Sequence, residues 1–401
     1  MRCLVIIQDL RISGTSEGIV SRSFISKLRK SFPSSSIDVL YLRNHHNDDK
    51  LHLLPIDHLE QHYIDPKIPA STKFINRFYW RVTGISLNKE KHVGKYRKHI
   101  QKIDPEQYDH IFIRSSGLEH ETILAAAGLP ILKKAVINFH DAFPVFWDTG
   151  SKLVLDNLTL QGLKKMWKVV ITAKKCMSPS KMLSEDLQHL FGTNKAFYTL
   201  PHQFESSAFD IKSAIGVRAK KKQVTISYHG ALQFARNINF LLDAYLELIN
   251  ENPLYKEKTE FVLRVKGAHS TGVINKYQDS PNLIFLGGLN FESSAFEQAN
   301  ETDILIILEN CAPHSNILVG KAPFLSFLKK PILSLSPGRS EVRRIVGTGD
   351  FVASCNDQHE IKLKLSFLID RILGGETEAE PFSDYFSDEN FKKSILNILK
   401  D

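Results

Sequence analysis

The stretch 303–346 reads DILIILENCAPHSNILVGKAPFLSFLKKPILSLSPGRSEVRRIV. The apolar run Ile304-Leu305-Ile306-Ile307-Leu308 ends at a polar loop that carries His314, Ser315, Asn316, Gly320 and Lys321. A short apolar-faced segment follows, then Ile332-Leu333-Ser334-Leu335, then Arg339-Ser340-Glu341. The pattern predicts strand, loop, helix, strand, loop, helix. In a parallel sheet of this kind, the loops that leave the carboxyl ends of the strands face a ligand crevice. A Lys, an Arg, a Glu and small hydroxyl residues in those loops suit a diphosphate carried on a ribose.

The same alternation runs through the whole chain. In the N-terminal part, strands are predicted at Leu4–Ile7, Ile37–Leu42, His110–Arg114, Ala135–Phe139, Val169–Thr172 and Ala196–Leu200. Helices are predicted near Ile19–Ser31 and Lys181–Leu190. A second set begins with strand Val224–Tyr228 and helix Asn239–Asn250, and ends in amphipathic helices Gln358–Leu373 and Ser387–Lys400. Strands alternating with helices predict parallel, doubly wound sheets. The fold class expected is therefore α/β, with two Rossmann-like doubly wound domains facing a cleft. The boundaries read as 1–205 for an N-terminal domain, 206–222 for a linker and 223–380 for a C-terminal domain. Residues 381–401 form a last helix, packing back toward the first domain.

Composition narrows the class. The chain has 401 residues, 42% hydrophobic and 24% charged, with net charge +8. That is ordinary globular composition with a basic balance, which favours anionic partners. Cys3, Cys176, Cys311 and Cys355 are far apart with no paired spacing, which argues against a zinc site or a disulfide framework and fits a reducing compartment. The opening Met1–Ile7 is interrupted by Asp9 and Arg11 too early for a signal peptide, and no apolar run approaches the roughly 20 residues of a spanning helix. A cytoplasmic protein is expected, with any membrane contact peripheral at the inner face. Residues 73–102 hold nine cations, Phe74, Phe78, Tyr79, Trp80 and Tyr96, and Glu90 as their only acid. They suit an anionic membrane surface, or a helix pair with solvated cations. No helix-turn-helix, RNP or zinc-finger pattern is present, so nucleic acid is not an expected partner.

Individual residues then become candidates. His229-Gly230 ends a strand and Arg236 follows it; Gly230 allows close approach of a ligand and Arg236 a charge for it. Lys266 ends the strand Phe261–Lys266. With Lys321, these supply the charge that a diphosphate needs without a metal. Glu341 reads as a helix-dipole partner or as an acceptor for ribose hydroxyls. In the N-terminal half, His140-Asp141 closes a central strand, where the His is a general base, a donor-sugar contact or a structural residue. Gly14-Thr15-Ser16 opens a small-residue loop at the same edge. Glu119-His120-Glu121 cannot all face one ion from a helix, and no metal site is expected.

With these residues in view, the chain resembles bacterial GT-B glycosyltransferases of the glycosyltransferase family 4 type. The resemblance rests on Tyr228-His229-Gly230, Arg236-Asn237, Val265-Lys266-Gly267, Gly320-Lys321, Lys330-Pro331-Ile332-Leu333 and Ser340-Glu341-Val342, with His140, Ser178-Pro179-Ser180 and Leu200-Pro201-His202 matching more loosely. It implies a UDP- or GDP-sugar type of donor, held through its diphosphate by Gly230, Arg236, Lys266 and Lys321. It implies no metal or other cofactor, and a glycan or lipid-linked acceptor. Where the family's retaining enzymes carry a spaced pair of glutamates, this chain has Asn316 and Phe324. Ribose and sugar contacts then fall to Glu341, His314, Ser315 and Asn316. Two rivals stand beside this reading: a nucleotide-sugar 2-epimerase of the same architecture, and a non-catalytic sugar-nucleotide or membrane-binding relative.

Overall fold

The computed structural model describes residues 1–13, 15–47, 49–115, 120–145, 147, 154–192, 194–212, 214–232, 236–266 and 270–400. The chain divides into two α/β units: Met1–Ala208 with Ser387–Asp401, and Phe209–Phe386.

Unit 1 is built on seven parallel strands: β1 (Arg2–Ile7), β2 (Ser36–Arg43), β3 (His58–Tyr63), β4 (His110–Arg114), β5 (Ala135–Asn138), β6 (Lys175–Ser178) and β7 (Phe197–Thr199). Their order is β3-β2-β1-β4-β5-β6-β7, so the winding reverses between β1 and β4. The connecting helices are α1 (Ser16–Ser31), α2 (Ala70–Thr83), α3 (Leu87–Ile100), α4 (Glu121–Ala125), α5 (Asn157–Thr172) and α6 (Lys181–Phe191). The inner strands read as continuous apolar runs because both faces are covered; Val5, Ile6, Phe112 and Ile137 are buried almost completely.

One strand expectation fails. Val169-Val170-Ile171-Thr172 is the last turn of α5, not a strand. Asp156 caps the start of this helix through the Thr159 amide, and Met166, Val169 and Val170 recur at helical spacing toward the core. A β-branched run is ambiguous when its neighbours are ignored. The strand lies just beyond, at Lys175–Ser178. The edge strand β3, HLEQHY, went unread because its residues are mostly polar and exposed.

Unit 2 has β8 (Val224–Ala231), β9 (Thr259–Lys266), β10 (Leu283–Gly287), β11 (Ile304–Leu308), the short β12 (His314–Ser315), β13 (Ile332–Ser336), the short β14 (Arg339–Ser340) and β15 (Val352–Ser354). Six of these form a parallel sheet in the order β10-β9-β8-β11-β13-β15, and β12 pairs with β14 outside it. Its helices are α7 (Asn239–Glu251), α8 (Pro253–Lys258), α9 (Ser270–Tyr277), α10 (Phe291–Asn300), α11 (Ala322–Phe327), α12 (Glu341–Val346) and α13 (Gln358–Leu373). The winding reverses between β8 and β11. Residues 209–222 are stitched along this unit: Arg218 grips Glu260 (2.6 Å), Lys220 pairs with Asp303 (3.0 Å), and Phe209 meets Phe291 edge-on.

The last helix, α14 (Asp388–Leu399), belongs to unit 1. Phe391 packs edge-on against Phe24 of α1, and Asp388 pairs with Lys27 and Lys30. All four cysteines are free thiols. Among the described residues, no helix is long and apolar enough to cross a membrane.

Candidate functional site

The carboxyl edge of unit 2 gathers two cations. Lys321 precedes α11, and its ammonium donates to the His229 carbonyl oxygen at the end of β8 (2.6 Å) and lies 4.4 Å from the centre of the Tyr228 ring. Arg236 reaches the same strand end, donating through Nη1 to the Ala231 carbonyl oxygen at 3.4 Å, while its Nε is buried without a partner. Among the described residues neither cation forms an ion pair with a carboxylate. Desolvation, and then the charge of Arg236, push the Lys321 pKa down to about 7. Two adjacent positive groups, both partly buried and neither paired with a carboxylate among the described residues, form a place where an anion is favoured.

Gly230 makes this arrangement fit. A Cβ there would sit 2.9 Å from Lys321 Nζ and 2.9 Å from Tyr228 Oη, so any side chain displaces the ammonium or the phenol. His229 serves as scaffold: its Nδ1 bonds Ser294 Oγ (2.8 Å), and burial lowers its pKa to about 3, which keeps it neutral.

Lys266 has a different arrangement. Register pairs it with Ala231, so its backbone adjoins the same strand end. Its stem lies along Gly288, and its ammonium donates to the Leu289 carbonyl oxygen (2.8 Å). The structure thus joins Arg236 to Lys321 and ties Lys266 to a separate carbonyl. Gly267 lies outside the described residues.

A carboxyl that the sequence reading passed over follows the neighbouring strand β11. Glu309 directly follows β11 and is buried. It accepts from Ser315 Oγ (3.1 Å), while its Oε2 has no partner. Burial raises its pKa to about 7, against the pull of Ser336, Ser340, Ser315 and Arg343. The rule that singled out Lys266, a polar residue at a strand's carboxyl end, applies equally to Glu309. The β12–β14 pair places His314 beside Arg339 and Ser315 beside Ser340. His314 and Asn316 are buried. Glu341 is fully buried, and its carboxylate is engaged by Arg344 of its own helix (2.7 Å).

The carboxyl edge of unit 1 is opposite in character. His140 follows β5, its amide donates to Ser115 Oγ (2.8 Å), and its ring lies 4.5 Å from that of His202. Its Nε2 is 3.9 Å from Glu17 Oε1, near the start of α1. Glu17, His140 and Asp141 each offer a ligand atom within 4.8 Å of the others, close enough to hold a cation. Burial lowers the His140 pKa and raises those of Glu17 and Asp141. The imidazole is therefore held neutral, and the carboxyls hold their protons more strongly than usual.

Thr15 positions this trio. Its hydroxyl caps α1 by accepting from the Gly18 amide and donates to Asp9 (2.9 Å). Ser16 opens the helix, while a Cβ on Gly18 would lie 2.3 Å from the Arg11 carbonyl oxygen. Gly14, Gly117 and Glu119 lie outside the described residues. His120 bonds the Ala142 carbonyl oxygen (3.3 Å), and burial lowers its pKa to about 3; Glu121 pairs with His92 at 3.6 Å.

No protein-family model matches this chain, and no curated protein matches it in sequence. Solved structures do match its fold. Sucrose-phosphate synthase from Thermosynechococcus elongatus superposes with a TM-score of 0.66 at 12% identity, covering 99% of this chain and 98% of that one. A glycosyltransferase from Rickettsia africae gives 0.62 at 11%, covering 100% and 97%. UDP-GlcNAc 2-epimerase from Neisseria meningitidis, bound to UDP-GlcNAc, gives 0.56 at 11%, covering 100% and 99%. The fold is the GT-B type that these glycosyltransferases and epimerases share. At such identities the likeness establishes the architecture alone.

Proposed function

We propose that this chain moves a glycosyl unit from a nucleotide-diphosphate sugar to an acceptor hydroxyl, on the pattern of glycosyltransferase family 4 enzymes of bacterial polysaccharide synthesis. The observation that carries the reading is the Arg236–Lys321 pair at the end of β8, two partly buried basic groups with no carboxylate partner among the described residues. A diphosphate is the natural occupant. When the bond between the sugar carbon and the diphosphate oxygen breaks, the electron pair stays on that oxygen. The two cations stabilise the charge that develops there. The acceptor hydroxyl forms the new bond to the sugar carbon, and its proton passes to a base. His140, neutral at pH 7, is the base that unit 1 offers. The acceptor in this reading is a glycan, a polysaccharide or a lipid-linked saccharide on the cytoplasmic side, and the chain meets an anionic membrane through residues 73–102.

The reading assigns charge neutralisation to protein cations and needs no metal. Transfer is therefore expected to survive exhaustive chelation. Loss of turnover on chelation, restored by a divalent ion, would contradict that assignment. The first experiment is a panel of UDP-, GDP- and dTDP-sugars, scored for binding and hydrolysis by the pure chain. A blank panel would count against the whole reading.

A second reading, 2-epimerisation of the sugar, draws on the same trio. Two carboxyls whose pKa values burial raises, beside an imidazole whose pKa it lowers, are groups able to remove and return a proton at a sugar carbon. Incubation with donor alone separates the two: an epimerase alters the sugar without any acceptor, and a transferase does not.

A further inference from the structure

Arg114, the last residue of β4, is buried, with only 3% of its surface exposed. Among the described residues, no carboxylate pairs with its guanidinium and no acceptor takes a hydrogen bond from it. Its Nε is buried without a partner. The Phe24 ring of α1 covers one side, its centre 4.4 Å from Cζ. A ring meets the flat face of a guanidinium and leaves the in-plane N–H groups unsatisfied. Burial lowers the Arg114 pKa to about 9, so the group is still a cation at pH 7. A charge buried in this way is costly until a counter-charge reaches it.

A small cavity adjoins the group. Its volume is about 10 Å³, and Arg114, Asn138, His202 and Gln203 supply its polar wall. Register pairs Arg114 with Asn138 of β5, which puts both side chains on the same side of the sheet. Asn138 and His202 are buried. Burial, and then the charges of His140 and Arg114, hold the His202 pKa well below its usual value. The ring is therefore neutral at pH 7 and keeps one N–H to donate. The wall thus offers one cation and two neutral groups with N–H donors, and it contains no carboxylate. The volume suits a single body about the size of a water molecule. Gln203 Oε1 is an unpartnered acceptor on the same wall. A water would satisfy that oxygen and leave the charge of Arg114 uncancelled. A halide cancels the charge, and a polyatomic oxyanion is too large to enter.

We propose that this cavity is a halide site, in which one chloride ion rests on Arg114 with Asn138 and His202 around it. The ion joins the carboxyl end of β4 to the segment that follows β7. The proposal concerns unit 1 alone and stands independently of the donor reading.

The test is a series of thermal melts of the full-length chain at constant ionic strength, with sodium gluconate replaced stepwise by sodium chloride. The melting temperature should rise by about 2–4 °C and then saturate, as for one ion at several times its Kd in a unit of this size. Sodium bromide should act like chloride. Arg114→Met keeps a long side chain and removes the charge. It should lose the chloride increment and, in gluconate, melt no lower than the wild type, because an uncompensated buried charge is gone. Sulfate strengthens burial non-specifically and should raise both chains alike. Should Arg114→Met fail to fold, wild-type crystals grown in bromide decide the matter alone: the anomalous map should show a peak at hydrogen-bond distance from Arg114 Nε. A response to chloride that is absent or does not saturate, an equal chloride increment in Arg114→Met, or a water in place of the bromide peak would overturn the proposal. A saturating chloride effect in a chain that binds no nucleotide would sink the donor reading and leave this one standing.

Discussion

The carboxyl edges of the two sheets gather different charged groups. In unit 2, Arg236 and Lys321 crowd the end of β8 with no carboxylate partner among the described residues. In unit 1, Glu17 and Asp141 crowd His140 at the end of β5. Both edges come from the same strand-then-loop grammar, so topology alone does not separate them. Charge does. One edge holds two basic groups without a carboxylate partner among the described residues, and the other holds two carboxyls around an imidazole. The proposed function assigns leaving-group stabilisation to unit 2 and proton handling to unit 1.

The largest effect that probes this contrast comes from the cations. Lys321→Ala and Arg236→Ala should each lower kcat/KM for sugar transfer by roughly 10²–10³, the scale of a lost transition-state donor. Unchanged turnover in both would remove them from the site. His140→Ala should lower kcat by roughly 10²–10⁴ with little change in nucleotide affinity, as for a lost general base. Equal losses of affinity from the His140 and Lys321 variants would erase the contrast between the edges. Gly230→Ala crowds Lys321 Nζ and should weaken nucleotide-diphosphate binding on the order of tenfold, the cost of roughly one lost hydrogen bond, with the fold retained. Isothermal titration checks this.

Titration sharpens the comparison further. Lys321 is lowered to about 7 from its usual 10.5, so the cation is present below pH 7 and lost above it. Diphosphate affinity should therefore fall as pH rises through 7, and Lys321→Arg should flatten the profile. In the free protein the sign for stability is opposite. The unfolded chain binds more protons than the folded one between about pH 7 and 10.5, so this group makes stability rise with pH across that window. Glu309 runs the other way. Its pKa is raised from 4.5 to about 7, so its contribution to stability is full below 4.5 and is lost as pH rises through 7. Glu309→Gln, measured by thermal melts, should remove that slope and raise the melting temperature by a few degrees above pH 7. No change in slope would mean that the carboxyl is solvated.

The sheet architecture was legible because buried parallel strands leave long apolar runs such as Ile304–Leu308, and their order along the chain follows from short crossovers. The same signal misled at Val169–Thr172, where a β-branched run ends an amphipathic helix. It was silent at β3, an exposed edge strand with no apolar pattern. At the site, Gly230, Arg236 and Lys321 were readable as polar punctuation after strands. Their convergence was not, because the meeting of Lys321 with the His229 carbonyl spans the distance between two separate crossovers. Lys266 also occupies a strand end, and its exposed ammonium donates to the Leu289 carbonyl oxygen. Glu309 and Glu17 needed burial to be noticed, since a lone glutamate in a sequence gives no hint that it is desolvated.

The most direct test of the central claim is calorimetric titration of nucleotides into the wild-type chain and into Lys321→Ala/Arg236→Ala. Nucleoside diphosphates of the preferred base should bind the wild type, the matching nucleoside should bind far more weakly, and the double variant should bind both equally poorly. Diphosphate affinity that survives intact in the double variant would contradict the account.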